Sequence, residues 1–584
     1  MAEQSSENRK QRSRSDCLSE FSIYLTEAFM LMKEFKWLSN SYVAEFFTQG
    51  LWQKLPHSWR ECLKKVTLEE VADNILHDNN NAVFRFVWPL SLLSFIAACH
   101  ALALNRNQKK FIGKSGDYKP DEDLSMMFKK HIKPKKRHEL SVLPQVINTV
   151  CKETKTTNVV DVGSGLGHLS RMLAYKYGLN VVAVEMAGQR LPVAEKFDKE
   201  IEEELKRLNK KDGVTNGYGD VTHIARWIEP DISTEEFVKL VYGNNGGAQI
   251  SLNNFTDTKE EVIDTPAHLE NMDGSRHCVL VGLHTCGDLA STMLKVFKNT
   301  PLIRGIVSVS CCYFRMSLKE DSNNSTCGCR ASFTLSSFYQ NIKNVQNRND
   351  EETNSVFSIV NPTISENVLN SHFKNNLSSN YLKNYFNKDG VTQGCNQCNC
   401  HFKCGRTEGE TDCGFPLSKF LKRLPYQPLQ YKSFETACHF VEDYAKKLLN
   451  HSPNLKLHCY RAVMEVFIRH VDPSLVLAPV RCKKIKNAAS MTFVEYAEKV
   501  FERLDKVFDP NLLKDINYEA LLSQWKNVTI YHSLVLLLGP VIESIALVDK
   551  VMYLLEEGMD ATLTPVFDPD ISPRNFALVA TRET

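Results

Sequence analysis

Apolar residues recur every three or four positions in "YVAEFFTQGLWQKL" and again in "SLLSFIAACHALAL". That spacing lines one face of a helix, so residues 17–130 read as a helical region. From about residue 157 the rhythm changes. "TNVVDVG" is a short β-branched run closed by glycine, and "LNVVAVE" is a second one. They alternate with "GHLSRMLAYKYG", an amphipathic helix ended by Gly178, and with the long charged helix "RLPVAEKFDKEIEEELKRLNKK". Further strands are expected at Val221–Ile228, His277–Leu283 and Arg304–Cys311. Strands alternating with helices of this length imply a parallel sheet wound by right-handed crossovers.

Periodicity stops after residue 319. The Asn- and Ser-rich stretch 319–413 is expected to be a flexible insertion. Helical spacing returns at "GFPLSKFLKRL" and marks residues 414–529 as a second helical region. "LVLLLGPVIESIALVDKVMYLLEEG" reads as one helix stopped by Gly558. Two strand-like runs follow, "ATLTPVFDP" and "NFALVATR", joined by the turn-rich "DPDISPR". The sheet is therefore expected to be split. Five strands come from residues 131–318 and two return from residues 530–584.

Length and composition narrow the class. A chain of 584 residues with net charge +2 is large enough for several domains, and its charge demands neither nucleic acid nor an acidic membrane. Its 18 cysteines, spread over this length, are not a small secreted disulfide scaffold. Several lie in apolar segments, which suits a reducing compartment. With no apolar core behind the polar start "MAEQSSENRKQRSRSD", a cytoplasmic or nuclear location is expected. Val87–Leu104 is uncharged and about long enough to span a bilayer. It carries Pro89, Cys99 and His100 and lacks an aromatic and basic belt, so a buried globular helix is expected and no membrane contact.

"VVDVGSGLGHLS" places Asp161, Gly163, Ser164, Gly165 and Gly167 between a strand and a helix. Glycines there let the backbone approach a ligand, and the helix start offers free N–H donors. Glu185 closes the next strand, where a carboxylate can accept hydrogen bonds from ribose hydroxyls. A tight structural turn or a dinucleotide site would use the same glycines. Asp161, two residues before the first glycine, would repel a pyrophosphate and favours S-adenosyl-L-methionine as cofactor.

The blocks "VWPLSLL", "HIKPKKRHEL", "VVDVGSGLGHLSR", "GLHTCGDL", "VSVSCCY", "GFPLS", "ACH", "HCYRA" and "SPRNFALVAT" run in order over most of the chain. In them the chain resembles the methyltransferase-like protein 25 family. The resemblance implies an α/β class I methyltransferase, a Rossmann-like doubly wound sheet. The N-terminal helical region and the insertion before the last two strands are additions to it. It also implies an S-adenosylmethionine-dependent enzyme, and it supplies no defined substrate.

His284, Cys286 and Asp288 follow the fourth expected strand, and Cys311, Cys312 and Tyr313 follow the fifth. Both sets are expected at the carboxyl ends of parallel strands, beside the cofactor crevice. Cys286 and Cys311 could equally be small buried apolar residues, and His284 a core histidine. As site residues, His284 or Asp288 would draw a proton from the acceptor, with Cys286, Cys312 and Tyr313 lining it. "LHTCGDL" lacks the proline and aromatic of the turn that orients a base amine in adenine methylases. Together with "CCY" it is more similar to turns of transfer-RNA 2′-O-methyltransferases, so RNA is the expected partner. A cysteine nucleophile toward cytosine C5 is a weaker alternative. A catalytically inactive scaffold that keeps the fold also stays open.

Five of the ten residues in "HIKPKKRHEL" are Lys, Arg or His besides His131, a strip able to contact phosphate or simply a solvated helix start. Lys136, His138 and Glu139 are expected to face the cofactor cleft. "CNQCNCHFKC", Cys395–Cys404, has a zinc-like C-x-x-C start, and Cys327 and Cys329 could add ligands. It lies in the low-complexity stretch without a second well-spaced knuckle, so no metal ligands are assigned.

Overall fold

The β-branched runs and the terminal hairpin assemble into one sheet. The computed structural model describes residues 14–78, 83–106, 126–129, 131–212, 217–229, 232–243, 277–318, 414–472, 485–504 and 506–582. The strands are β1 Asn158–Val162, β2 Asn180–Glu185, β3 Val221–Ala225, β4 Cys278–Thr285, β5 Ile303–Ser310, β6 Asp560–Pro565 and β7 Phe576–Thr581. Their order is β3-β2-β1-β4-β5-β7-β6. The first five are parallel, and β7 runs antiparallel between β5 and β6. Strand order reverses between β1 and β4, so a crevice opens at the carboxyl ends of those two strands.

The helices that matter for the site are α1 Arg14–Glu34, α2 Leu90–Leu102, α3 Pro134–Glu153, α4 His168–Tyr177, α5 Leu191–Asp212, α6 Asp288–Asn299, α7 Lys456–Val471, α8 Trp525–Leu537 and α9 Gly539–Glu556. Side chains alternate across each strand and sort the core into two layers. Val159, Val181, Val279, Val281 and Val307 pack with apolar residues of α3, α4 and α5. Val160, Val182, Leu280 and Ile306 face the other way. They share a core with α6 and with apolar residues of α1, α2, α7, α8 and α9.

Two elements differ from expectation. The third strand stops at Ala225, and Trp227 beyond it is 52% exposed. The long C-terminal helix is two helices, α8 and α9, because Pro540 has no N–H to continue the ladder and opens the first turn of the second. Within Val87–Leu104, helix α2 starts only after Pro89, and among the described residues no helix is long and apolar enough to cross a membrane.

The chain leaves the described fold at Leu318 and returns at Gly414 with the two ends tied together. Leu318 bridges Phe415, and the Gly414 N–H donates to Ser317 Oγ at 2.7 Å. The expected flexible insertion lies outside the described residues, as do Cys327, Cys329 and Cys395–Cys404.

Candidate active site

The turn after β1 places Gly163, Gly165 and Gly167 at φ of +73°, +64° and +72°, a region that L side chains enter only with strain. The N–H groups of Gly163 and Ser164 donate to the Val184 carbonyl at 2.9 and 3.1 Å, fastening the loop to β2. The Gly165 N–H donates to Glu185 Oε2 at 2.9 Å. Glu185 Oε1 accepts from the Ala187 N–H and from Arg190 Nη1, both at 3.0 Å. Both carboxylate oxygens are thus oriented. A Cβ on Gly165 would meet nothing within 4 Å, so the loop forms an open cradle. Ser164 Oγ is buried without a hydrogen-bond partner, the kind of polar atom a bound ligand satisfies.

Asp161 lies at the end of β1, 1% exposed, and accepts the Ser170 hydroxyl at 2.7 Å. Burial pushes its carboxyl up to about 6, against the opposing pull of Ser170 and Lys136. Burial also holds the Lys136 ammonium below its ordinary value, with Glu139, Asp161 and Cys311 acting against that.

A buried charge network supports this loop. Arg171 on α4 pairs with Asp198 on α5 at 2.7 Å, and His223 Nε2 on β3 meets the same carboxylate at 2.7 Å. Arg171 also donates to the Leu166 carbonyl inside the loop. A Cβ on Gly167 would stand 2.8 Å from His223 Cε1, so packing as well as φ requires this glycine.

Across the crevice, β4 pairs irregularly with β5 between Gly282 and Thr285, and His284 turns out of the sheet. Its side chain is 42% exposed, with Nε2 3.4 Å from Glu139 Oε2. Glu139 is itself buried and accepts the Ser572 hydroxyl at 2.8 Å. Burial alone would raise its pKa, but His284, Lys136 and Ser572 together hold the carboxyl below the usual range. Thr285 Oγ1 meets Ser308 Oγ and the Val309 carbonyl, each at 3.0 Å, and clamps the ends of β4 and β5 together.

Beside that clamp three thiols converge. Cys286 Sγ lies 2.9 Å from Cys311 Sγ, and Cys311 Sγ lies 3.7 Å from Cys312 Sγ. The hydrogen bond from Cys311 draws Cys286 down to about 6 against its burial. The same bond, with burial, pushes Cys311 up, and burial raises Cys312.

Asp161, Gly163, Ser164, Gly165, Gly167 and Glu185 thus gather on one side, and Glu139, His284, Cys286 and Cys312 on the other, with Lys136 interacting with Glu139, Asp161 and Cys311 across both. Three expected site residues are engaged elsewhere. His138 Nε2 accepts the Asp568 N–H at 2.9 Å and holds the connection between β6 and β7. Tyr313 is 2% exposed and donates to Glu543 Oε1 at 3.0 Å, and burial lifts its pKa well above the ordinary value. Its proton belongs to a buried network in which Arg106 and Arg574 also pair with Glu543. Asp288 Oδ1 accepts the Ser317 N–H at 2.7 Å, and a Cβ on Gly414 would stand 1.8 Å from that oxygen. It positions the segment after β5 against the start of α6.

Residues 135–319 match the profile of a methyltransferase-domain family. These residues form a methyltransferase domain. With the seven-strand order and the antiparallel β7, the chain has the α/β Rossmann-like methyltransferase fold. Nearly the whole chain is similar to the probable methyltransferase-like protein 25 of Homo sapiens, 21% identical over 673 aligned positions that cover 94% of each protein. The protein of the same name from Mus musculus is 22% identical over 269 positions, 31% of this chain and 44% of that protein. No solved structure matches.

Around the methyltransferase domain, the later helices add groups that were quoted above only as sequence blocks. Cys438 Sγ comes within 3.9 Å of the Cys311 carbonyl. A cavity of about 530 Å³ is lined by Cys438, His439, His458, Arg461 and His532 among others. The rings of His458 and His532 lie 4.0 Å apart, and burial pushes His458 down to about 3. The blocks "ACH" and "HCYRA" contain all of these but His532, and they did not reveal that the residues share a cavity.

Proposed function

We propose that this chain transfers a methyl group from S-adenosyl-L-methionine to RNA. The observation that carries the cofactor reading is the open Gly165 cradle with the unpartnered Ser164 hydroxyl at its edge and Glu185 oriented beside it. The Gly163–Gly167 backbone and Ser164 would hold the donor, and the one lone pair left on Glu185 Oε2 would accept a ribose hydroxyl. S-adenosylmethionine supplies an electrophilic sulfonium methyl group when bound. The buried charge of Asp161 beneath the loop disfavours a pyrophosphate there.

For the acceptor, the exposed imidazole of His284 takes the proton of a ribose hydroxyl while Glu139 holds the ring in orientation. The RNA reading is supported by Lys133, Lys135 and Arg137, all exposed on the first turn of α3 near Glu139. Lys447 and Arg461 add positive charge at the large cavity.

The test is transfer of a radiolabelled methyl group to total RNA and total protein from cells lacking this chain. Label is expected in RNA with the unmutated protein and in neither fraction with Gly163→Arg. Label confined to protein would overturn the RNA assignment. No label anywhere, with cofactor binding intact, would favour the inactive scaffold.

A further inference from the structure

We propose that Cys286, Cys311 and Cys312 form a binding site for one thiophilic metal ion, with zinc as the ion that suits them. Their three Sγ atoms all lie within 4.8 Å of one another. They come from two strand ends, one thiol after β4 and two after β5, and the Thr285–Ser308 clamp fixes those ends together. A small apolar cysteine is normally sealed in the core. Cys62, Cys99, Cys151, Cys278 and Cys459 behave that way, each fully buried. Cys286, Cys311 and Cys312 are only partly buried, and their sulfurs converge on one another.

The spacing fits one ion after a small adjustment. Zinc–sulfur bonds of about 2.3 Å put neighbouring sulfurs roughly 3.8 Å apart around a tetrahedral ion. Cys311 and Cys312 already stand at 3.7 Å. Cys286 and Cys311, at 2.9 Å, must separate by roughly 1 Å, which side-chain rotation alone can provide. On binding, each thiol releases its proton to solvent and forms one metal–sulfur bond, with no change of oxidation state. Three protein ligands leave the fourth position of zinc open to solvent or acceptor, as in catalytic and not closed structural sites.

This site stands on sulfur geometry and is independent of the S-adenosylmethionine reading. It is tested on the full chain purified under reducing conditions, by elemental analysis and by cobalt reconstitution. One zinc equivalent should vanish in Cys286→Ser and again in Cys312→Ser, and survive in Cys398→Ser, which alters the separate C-x-x-C run. Cobalt should give thiolate charge-transfer absorption in the unmutated chain that both site variants lose. Circular dichroism of the same samples shows whether the variants are folded, and calorimetric S-adenosylmethionine binding keeps failure of the metal site distinct from failure of the cofactor site. Zinc content and cobalt spectra unchanged in both site variants would overturn the proposal. So would an unmutated chain without metal in which Cys286 and Cys311 are recovered as a disulfide.

Discussion

The polar contacts that shape the glycine loop close mostly within residues 161 to 190, from Asp161–Ser170 to Gly165–Glu185 and Glu185–Arg190. Those on the other side of the crevice include pairs more than a hundred positions apart. Glu139 meets Ser572, and Cys438 meets Cys311. The cofactor half is therefore built within β1 to β3 and the two helices between them. The acceptor half adds to its β4–β5 contacts others that form only once segments after residue 414 have packed. Damage to each half should then read out differently.

The largest effect is expected at Gly163, where the backbone is left-handed and a Cβ would already touch Leu289 at 3.5 Å. Gly163→Arg should weaken S-adenosylmethionine binding by roughly a thousandfold, about 4 kcal/mol, in calorimetry. Thermal melting of the same sample should show a folded protein, since the substitution disturbs a local loop.

Glu543→Gln strikes the buried network around Tyr313, outside the cofactor loop. It leaves Arg106 and Arg574 facing a neutral group in a buried site, which should cost about 3–5 kcal/mol of stability in chemical denaturation. Cofactor affinity of the folded fraction should change little. Equal loss of cofactor binding would break the independence of the cofactor half.

His284→Ala should lower methyl transfer by roughly 100-fold and leave cofactor affinity within about twofold. Turnover at the unmutated rate would remove His284 from the proposed role.

The smallest effect is pH-dependent. The Asp161 carboxyl is raised in the fold to about 6, so between its unfolded value and 6 the folded chain holds the proton more tightly than the unfolded one. Its contribution is fully present at low pH, is lost as pH rises through about 6, and stays lost above that. Asp161→Asn, which can still accept from Ser170, should remove this loss. Relative to the variant, the unmutated chain should become less stable by roughly 2–3 kcal/mol between about pH 4 and pH 7. A constant difference across that range would contradict the assignment.

The same division explains what was legible in the sequence. β-branched runs, glycines at left-handed positions and Glu185 at a strand end are local signals, so the seven strands and the cofactor loop could be read directly. The C-terminal hairpin was also readable, because it completes a sheet whose earlier strands were already visible. The break at Pro540 was underread, since the apolar run continues through it. Tyr313 and Asp288 looked like cleft residues from strand position alone. Their actual partners, Glu543 and Ser317, are set by packing that no spacing encodes. His138 stands two positions after Lys136 and one before Glu139, yet its ring is engaged with the Asp568 N–H. Convergence of Cys286 with Cys311 and Cys312 follows from β4 pairing with β5, and it required the register as well as the motifs.

The central claim is that the loop after β1 binds S-adenosylmethionine independently of the acceptor half. Isothermal titration of the full chain with S-adenosylmethionine tests it most directly, comparing the unmutated protein, Gly163→Arg and His284→Ala. One binding site in the unmutated protein and in His284→Ala, and none in Gly163→Arg, is the predicted result. Absence of binding by the unmutated protein, or equal binding by Gly163→Arg, would contradict it.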